Sequence, residues 1–201
     1  MSLAPTSAFN GLIQLLALCP LLAASDTLVN GLGLGAAVLI IVPLATALLM
    51  AIRRWLSEDS ALAVSLLVLA TLVGCVELLM RAWLPDLSAS LQLFLPLIVT
   101  NIVLVTRLQD REATPLACVG AGLGIAIGIA LTLLELGTVR ELVGRGSLFH
   151  DARLVGRWAS GLERMAFPVD MGFLLAMLPP GAFISLGLLI AARNWLAPTR
   201  S

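Results

Sequence analysis

Long apolar segments separated by short polar or charged turns run along the whole chain. Three of them, residues 32–52, 61–80 and 115–134, have the length of a membrane-crossing helix, which needs about 20 predominantly apolar residues. A fourth, residues 171–192, is interrupted by two adjacent prolines. Arginine and tryptophan residues stand at several segment ends, as they do at membrane boundaries. The pattern predicts a helical protein that crosses the membrane several times.

Two further apolar segments are too short and too interrupted for a regular crossing. In residues 8–25, Pro20 follows Cys19 directly, and proline disfavours helix at the residue before it. The other segment, residues 91–105, is interrupted at Pro96, Thr100 and Asn101. Broken backbone at membrane depth persists where it is buried in protein or lines a polar cavity. We therefore expect a broken half-helix in each segment.

The two halves of the chain present these segments in the same order. A broken segment is followed by a polar turn and a glycine-rich span, which reads N-G-L-G-L-G-A-A-V in residues 30–38 and V-G-A-G-L-G-I-A-I-G in residues 119–128. Small residues in such spans allow helices to approach closely. Three membrane elements per half would make the halves run in opposite directions, which is an inverted repeat.

The expected fold is therefore an all-α integral membrane domain over residues 1–201, with six transmembrane helices in an inverted 3+3 repeat. The first repeat covers about residues 8–84 and the second about residues 91–192. Within the second, residues 136–168 carry five arginines and several acids, which predicts an interfacial helix or loop.

Composition supports this class and excludes others. Of the 201 residues, 60% are hydrophobic and 12% are charged, whereas soluble domains carry about 25% charged residues. The formal net charge of zero gives no indication of nucleic-acid binding. The placement of arginines in the short loops, with Arg53 and Arg54 the clearest pair, favours both termini in the cytoplasm.

Few side chains offer chemistry. The cysteines, Cys19, Cys75 and Cys118, form no C-x-x-C pair, which argues against a zinc site or a disulfide framework. Glu77 lies inside a predicted span, where an acid is costly and is often part of an ion pathway. The alternative for Glu77 is a carboxyl group hydrogen-bonded at a helix interface.

Five stretches carry a resemblance to a known family. They read L-C-P-L-L-A in residues 18–23, V-N-G-L-G-L-G in 29–35, F-L-P-L-I-V-T-N in 94–101, V-R-E-L-V-G-R-G-S-L-F in 139–149 and M-L-P-P-G-A-F-I-S-L-G-L-L-I-A in 177–191. These stretches resemble the E subunits of the Rnf electron-transport complex, to which the D subunit of the sodium-translocating NADH:quinone reductase is related. The resemblance runs almost from end to end.

The resemblance implies one component of a ferredoxin/NAD oxidoreductase complex in the bacterial inner membrane, non-catalytic alone, with the A, B, C, D and G subunits as partners. Each of the homologous A and E subunits would supply two cysteines from its broken helices. The four thiolates would hold a 2Fe-2S cluster that relays electrons, coupled to translocation of sodium ions or protons.

Carried over to this chain, Cys19 matches the first cluster ligand of the family, and Pro20, Thr100 and Asn101 would surround the cluster. The alternative for Thr100 and Asn101 is that they satisfy backbone groups freed by the helix break. The second family cysteine directly follows T-N, where this chain has Ile102. Isoleucine cannot ligate iron, and such clusters normally have four ligands, mostly thiolates. Three outcomes stay open: a cluster with a foreign fourth ligand, another electron route, or a metal-free structural or gating subunit. A secondary transporter is a further alternative, because inverted repeats with broken helices also build carriers.

Overall fold

The computed structural model describes residues 25–52, 55, 58–99, 115–149, 152–154, 164–165 and 178–196. The described elements, in chain order, are α1 (Leu28–Ile52), α2 (Glu58–Trp83), α3 (Pro85–Leu91), a 3-10 helix (Pro96–Ile98), α4 (Pro115–Arg145), β1 (Ser147–Leu148), a second 3-10 helix (Ala152–Leu154), β2 (Arg164–Met165) and α5 (Pro179–Leu196). The two strands pair antiparallel, with Ser147 opposite Met165. The described chain is thus helical apart from this small ribbon.

Three described helices, α1, α2 and α4, are long and apolar enough to cross a membrane. The first two match the predicted spans 32–52 and 61–80, and each extends them by a few residues. Large apolar side chains point outward along these helices, among them Ile40, Leu67, Leu78 and Leu131. An exposed apolar surface of this extent is expected where a helix faces lipid rather than water. The integral membrane class predicted from the sequence is confirmed.

Helix α4 is longer than predicted. It spans 31 residues and ends at Arg145, so residues 136–145 of the predicted interfacial segment are its last turns. At about 1.5 Å per residue its length is about 46 Å, more than the roughly 30 Å of a bilayer's hydrocarbon core. Gly146, with φ of 66°, ends the helix, and its N–H donates to the carbonyl of Leu142 over 3.0 Å. A left-handed glycine at this position is a common helix stop.

Helices α1 and α4 pack antiparallel at close range through glycines. Gly31 lies against the backbone of Leu133, and Gly35 lies against Ala130. Near the other end, Gly122 lies against the side chain of Thr46. The two glycine-rich stretches matched in the sequence therefore lie on helices that run in opposite directions.

In the second glycine-rich stretch, fewer glycines than predicted lie at a close helix contact. A Cβ atom placed on Gly120 or Gly124 would meet no described atom within 4 Å. The expected close approach therefore depends on Gly122 alone in that stretch, because helical spacing of two residues turns the neighbouring glycines to another face.

The main hydrophobic core surrounds α1. Leu34, Val38 and Ile41 of α1 are fully buried, together with Leu69 of α2 and Leu133 of α4. A second, smaller cluster of Leu136, Ala182 and Leu186 joins α4 to α5. Helix α5 begins with Pro179 and Pro180, at the end of a helix where a missing backbone N–H costs nothing. The prolines thus start the described helix, and residues 171–177 of the predicted last span lie outside the described residues.

Candidate functional site

The predicted cluster site lies outside the described residues. This applies to Cys19 and Pro20 of the first broken segment and to Thr100, Asn101 and Ile102 of the second. The assignment of Cys19 as a ligand therefore stays a prediction.

The described part of the second broken segment is not a continuous α-helix. Helix α3 ends at Leu91, a turn follows, and a 3-10 helix runs over Pro96–Ile98. Leu91, Leu95 and Ile98 are fully buried on this path. The N–H of Val99 donates to the carbonyl of Pro96 over 3.1 Å. The chain thus approaches Thr100 through short, tightly wound and well-packed turns.

The other two cysteines do not form a metal site with described residues. Cys75 is exposed on α2, and Cys118 is buried near the start of α4. No group of three or more His, Cys, Asp or Glu side chains with metal-ligand proximity exists in the described part of the chain. Cys19 stays the candidate thiolate that the family resemblance implies.

Glu77 lies in the described part of α2 and pairs with Arg81 one helical turn later. The Arg81 Nη2 and Glu77 Oε1 atoms are 2.6 Å apart, and the side chains are 56% and 21% exposed respectively. Neither of the two sequence-based interpretations foresaw this partner. The carboxylate is thus compensated within its own helix, close to the end of that helix at Trp83.

A buried polar junction lies where α1 begins. The N–H of Leu28, the first residue of α1, donates to Glu141 Oε2 over 2.8 Å. Arg140 donates from Nη1 to the carbonyl oxygen of Ser25 over 2.8 Å and from Nη2 to that of Leu178 over 3.4 Å. Arg140 and Glu141 are both 0% exposed. We call Ser25, Leu28, Arg140, Glu141 and Leu178 the helix-end junction.

The first turn of α1 is also capped by its own neighbours. The Thr27 hydroxyl accepts from the N–H of Asn30 over 3.3 Å, as an N-cap residue does. The Asn30 side chain donates to Asp26 over 2.8 Å and accepts from the Ser90 hydroxyl of α3 over 3.0 Å. These bonds attach α3 to the same helix end.

Sequence reasoning missed the role of Arg140 and Glu141, because it placed them in an interfacial segment. The available signal was the absence of proline from residue 116 to residue 145, followed by a glycine at position 146. That combination is typical of a helix continuing to a glycine stop.

An apolar groove of about 230 Å³ runs along the crossing of α1 and α4. Its lining has no polar side chain and consists of Gly31, Leu32, Gly35, Ala36, Leu39, Ile127, Ala130, Leu131 and Leu134. A binding site for a polar solute needs polar groups to replace water. This crossing therefore offers no such site.

Comparison with known proteins shows which family the sequence is similar to. Residues 7–190 match the sequence model of the Rnf-Nqr family, described as "Rnf-Nqr subunit, membrane protein". The chain is 44% identical over 186 residues to the E subunit of the ion-translocating oxidoreductase complex of Aliivibrio fischeri, covering 91% of this chain and 82% of that protein.

The E subunit of the same complex in Shewanella piezotolerans is 43% identical over 187 residues, with 92% and 81% covered. The Vibrio vulnificus protein is 44% identical over 186 residues, with 91% and 81% covered. The resemblance stated from the five sequence stretches is confirmed. The chain belongs to the Rnf-Nqr family of membrane proteins.

Proposed function

We propose that this chain is a membrane-embedded subunit of an Rnf-type ion-translocating oxidoreductase complex and relays electrons through a 2Fe-2S cluster shared with a homologous A subunit. The observation that carries the proposal is similarity at 43–44% identity across more than nine-tenths of the chain to proteins named as the E subunit of such a complex. The L-C-P motif with Cys19 lies within the matched residues.

The packing of α1 against α4 supports the fold that this function requires. An inverted 3+3 repeat demands that equivalent helices of the two halves run in opposite directions. The contacts of Gly31 with Leu133 and of Gly122 with Thr46 are consistent with that relation for the two glycine-rich helices. They also bring the end of α1 at Ile52 to the side where α4 begins at Pro115, and Arg53 is the next residue in the sequence after α1. By the positive-inside rule this side would be cytoplasmic, in the inner membrane of a bacterium.

This chain contributes one thiolate to the proposed cluster, from Cys19. A 2Fe-2S cluster supplies one-electron transfer and normally has four thiolate ligands. With isoleucine at position 102, the fourth ligand must come from a partner subunit or from a backbone or other non-cysteine group. The two resident residues Thr100 and Asn101 would donate hydrogen bonds near the cluster, a known influence on its potential.

The decisive experiment compares the purified complex with two variants that each replace one cysteine. The measurements are iron content per complex and the electron paramagnetic resonance spectrum after reduction. We expect a cluster signal in the wild type, its loss in Cys19→Ser, and its retention in the matched control Cys75→Ser. Cys75 is the suitable control because it is exposed on α2.

The main alternative is a metal-free structural or gating subunit of the same complex, which Ile102 favours. It predicts a wild-type complex that lacks this signal while its other subunits remain assembled. A secondary transporter is the third possibility, and solute uptake by the isolated subunit in liposomes would reveal it. The apolar lining of the α1–α4 groove gives that possibility no support.

A further inference from the structure

Arg140 and Glu141 are adjacent charged residues of this membrane protein, and both are fully buried. Charges in such surroundings are costly and persist where protein groups replace water. Here the groups that replace it include backbone atoms at helix ends. Glu141 accepts from the first N–H of α1, and Arg140 donates to two carbonyl oxygens.

The two carbonyl oxygens that accept from Arg140 belong to Ser25, close in sequence to Cys19, and to Leu178. Ser25 is the sixth residue after Cys19, and it is the last residue of the broken segment and the first described one. Leu178 immediately precedes α5, whose first two residues are prolines. One guanidinium group thus joins the exit of the first broken segment to the start of the last helix. Arginine suits this task because its planar group carries five donors in fixed directions.

The backbone of α4 comes close enough for these contacts to form. A Cβ atom placed on Gly137 would lie 2.7 Å from the carbonyl oxygen of Thr27 and 3.3 Å from the Cα atom of Leu28. Gly137 is one helical turn before Glu141, so the same stretch of α4 contacts residues 25–28 along its length. A larger residue at position 137 would separate the two segments.

We propose that Arg140 and Glu141 are positioning residues, which fix the exit of the Cys19-bearing segment against the second half of the chain. Arg140 holds the chain at Ser25, and Glu141 holds the start of α1 three residues later. The inference rests on the proposed function, because Cys19 is the group whose position has a redox consequence. The charges themselves take no part in electron transfer.

The test measures the alkylation rate of each cysteine by N-ethylmaleimide in native membranes, with modified residues identified by mass spectrometry. In Arg140→Gln we expect Cys19 to react about tenfold faster or more, since losing a buried charge-assisted hydrogen bond has an effect of at least that size. Cys118, which is buried on α4, is the internal reference and should keep its wild-type rate. Arg140→Lys keeps the charge and can still donate hydrogen bonds from its single ammonium nitrogen, so Cys19 should react about threefold faster at most.

The matched control is Arg81→Gln, which removes an arginine that is exposed on α2 and should change neither rate. Parallel acceleration of Cys19 and Cys118 in Arg140→Gln would mean general loosening and would overturn the inference. So would an unchanged Cys19 rate. If Arg140→Gln does not accumulate, Glu141→Ala takes its place, because it removes the acceptor of the Leu28 N–H. Faster alkylation of Cys19 alone would then support the inference, and an unchanged Cys19 rate or parallel acceleration of Cys118 would overturn it. The iron content of the wild-type complex decides the proposed function separately, because these rates are interpretable without a cluster.

Discussion

The close crossing of α1 and α4 predicts that two glycine-to-alanine substitutions have clearly different effects on the free energy of unfolding. In Gly31→Ala the new Cβ atom would lie 2.8 Å from the carbonyl oxygen of Leu133 and 3.4 Å from the carbonyl carbon. These are backbone atoms, which cannot rotate away, so the two helices must move apart. Overpacking of this kind costs about 1–3 kcal/mol. In Gly128→Ala the Cβ atom meets no described atom within 4 Å.

Both substitutions share the gain in helix propensity, about 1 kcal/mol for alanine over glycine. The difference between them therefore isolates the packing term, and Gly31→Ala should be less stable than Gly128→Ala by about 1–3 kcal/mol. The measurement is unfolding by sodium dodecyl sulfate in mixed micelles, followed through helical circular dichroism. Equal stability of the two variants, or a more stable Gly31→Ala, would refute the geometry of this crossing.

Three further predictions concern separate sites. Ile102→Cys restores the second family cysteine and should change the electron paramagnetic resonance spectrum of the reduced cluster, because a thiolate would replace the foreign fourth ligand; an unchanged spectrum would count against the shared cluster. Glu77→Gln should leave ion transport by the complex in vesicles within about twofold, because the Glu77 carboxylate pairs with Arg81 one turn later on its own helix; a large loss would assign Glu77 to an ion pathway instead. Gly146→Ala should destabilise the chain by about 1–2 kcal/mol, since alanine is strained at a positive φ. The unfolding assay is the same, and the control is Gly187→Ala, whose Cβ atom would meet no described atom within 4 Å.

The sequence pattern predicted the spans well where hydrophobicity alone decides. Residues 32–52 and 61–80 lie within α1 and α2 because continuous apolar runs leave the backbone no partner but itself in lipid. The pattern fails at the end of α4, because it places the boundary of the span at the first charged residues, whereas α4 continues to Arg145. Arginine marks a span boundary when its side chain reaches water, and Arg140 instead reaches carbonyl oxygens of the protein.

Contacts between distant residues were beyond the sequence pattern. Glycine-rich stretches indicated close helix packing, but helical phase decided that Gly31 and Gly122 make it and Gly120 does not. The assignment of Cys19 as a candidate cluster ligand comes from family resemblance, since a buried cysteine alone is usually a small inert side chain. The hydrogen bond from the N–H of Leu28 to Glu141 joins residues 113 positions apart, so a local sequence pattern cannot predict it.

The helix-end junction offsets two energetic costs at once, those of unpaired backbone groups and of buried charges. The first N–H groups of a helix have no partner within the helix, and a buried carbonyl in the loop before it also needs a donor, because leaving either group unpaired costs free energy. A buried carboxylate or guanidinium is also costly without a partner. At the start of α1 these groups satisfy each other, because Glu141 meets the N–H of Leu28 and Arg140 meets the carbonyl of Ser25. The positive end of the α1 dipole adds to the stability of the carboxylate. Helix α4 must extend past the start of α1 to deliver both charges, which gives a physical reason for its 31-residue length.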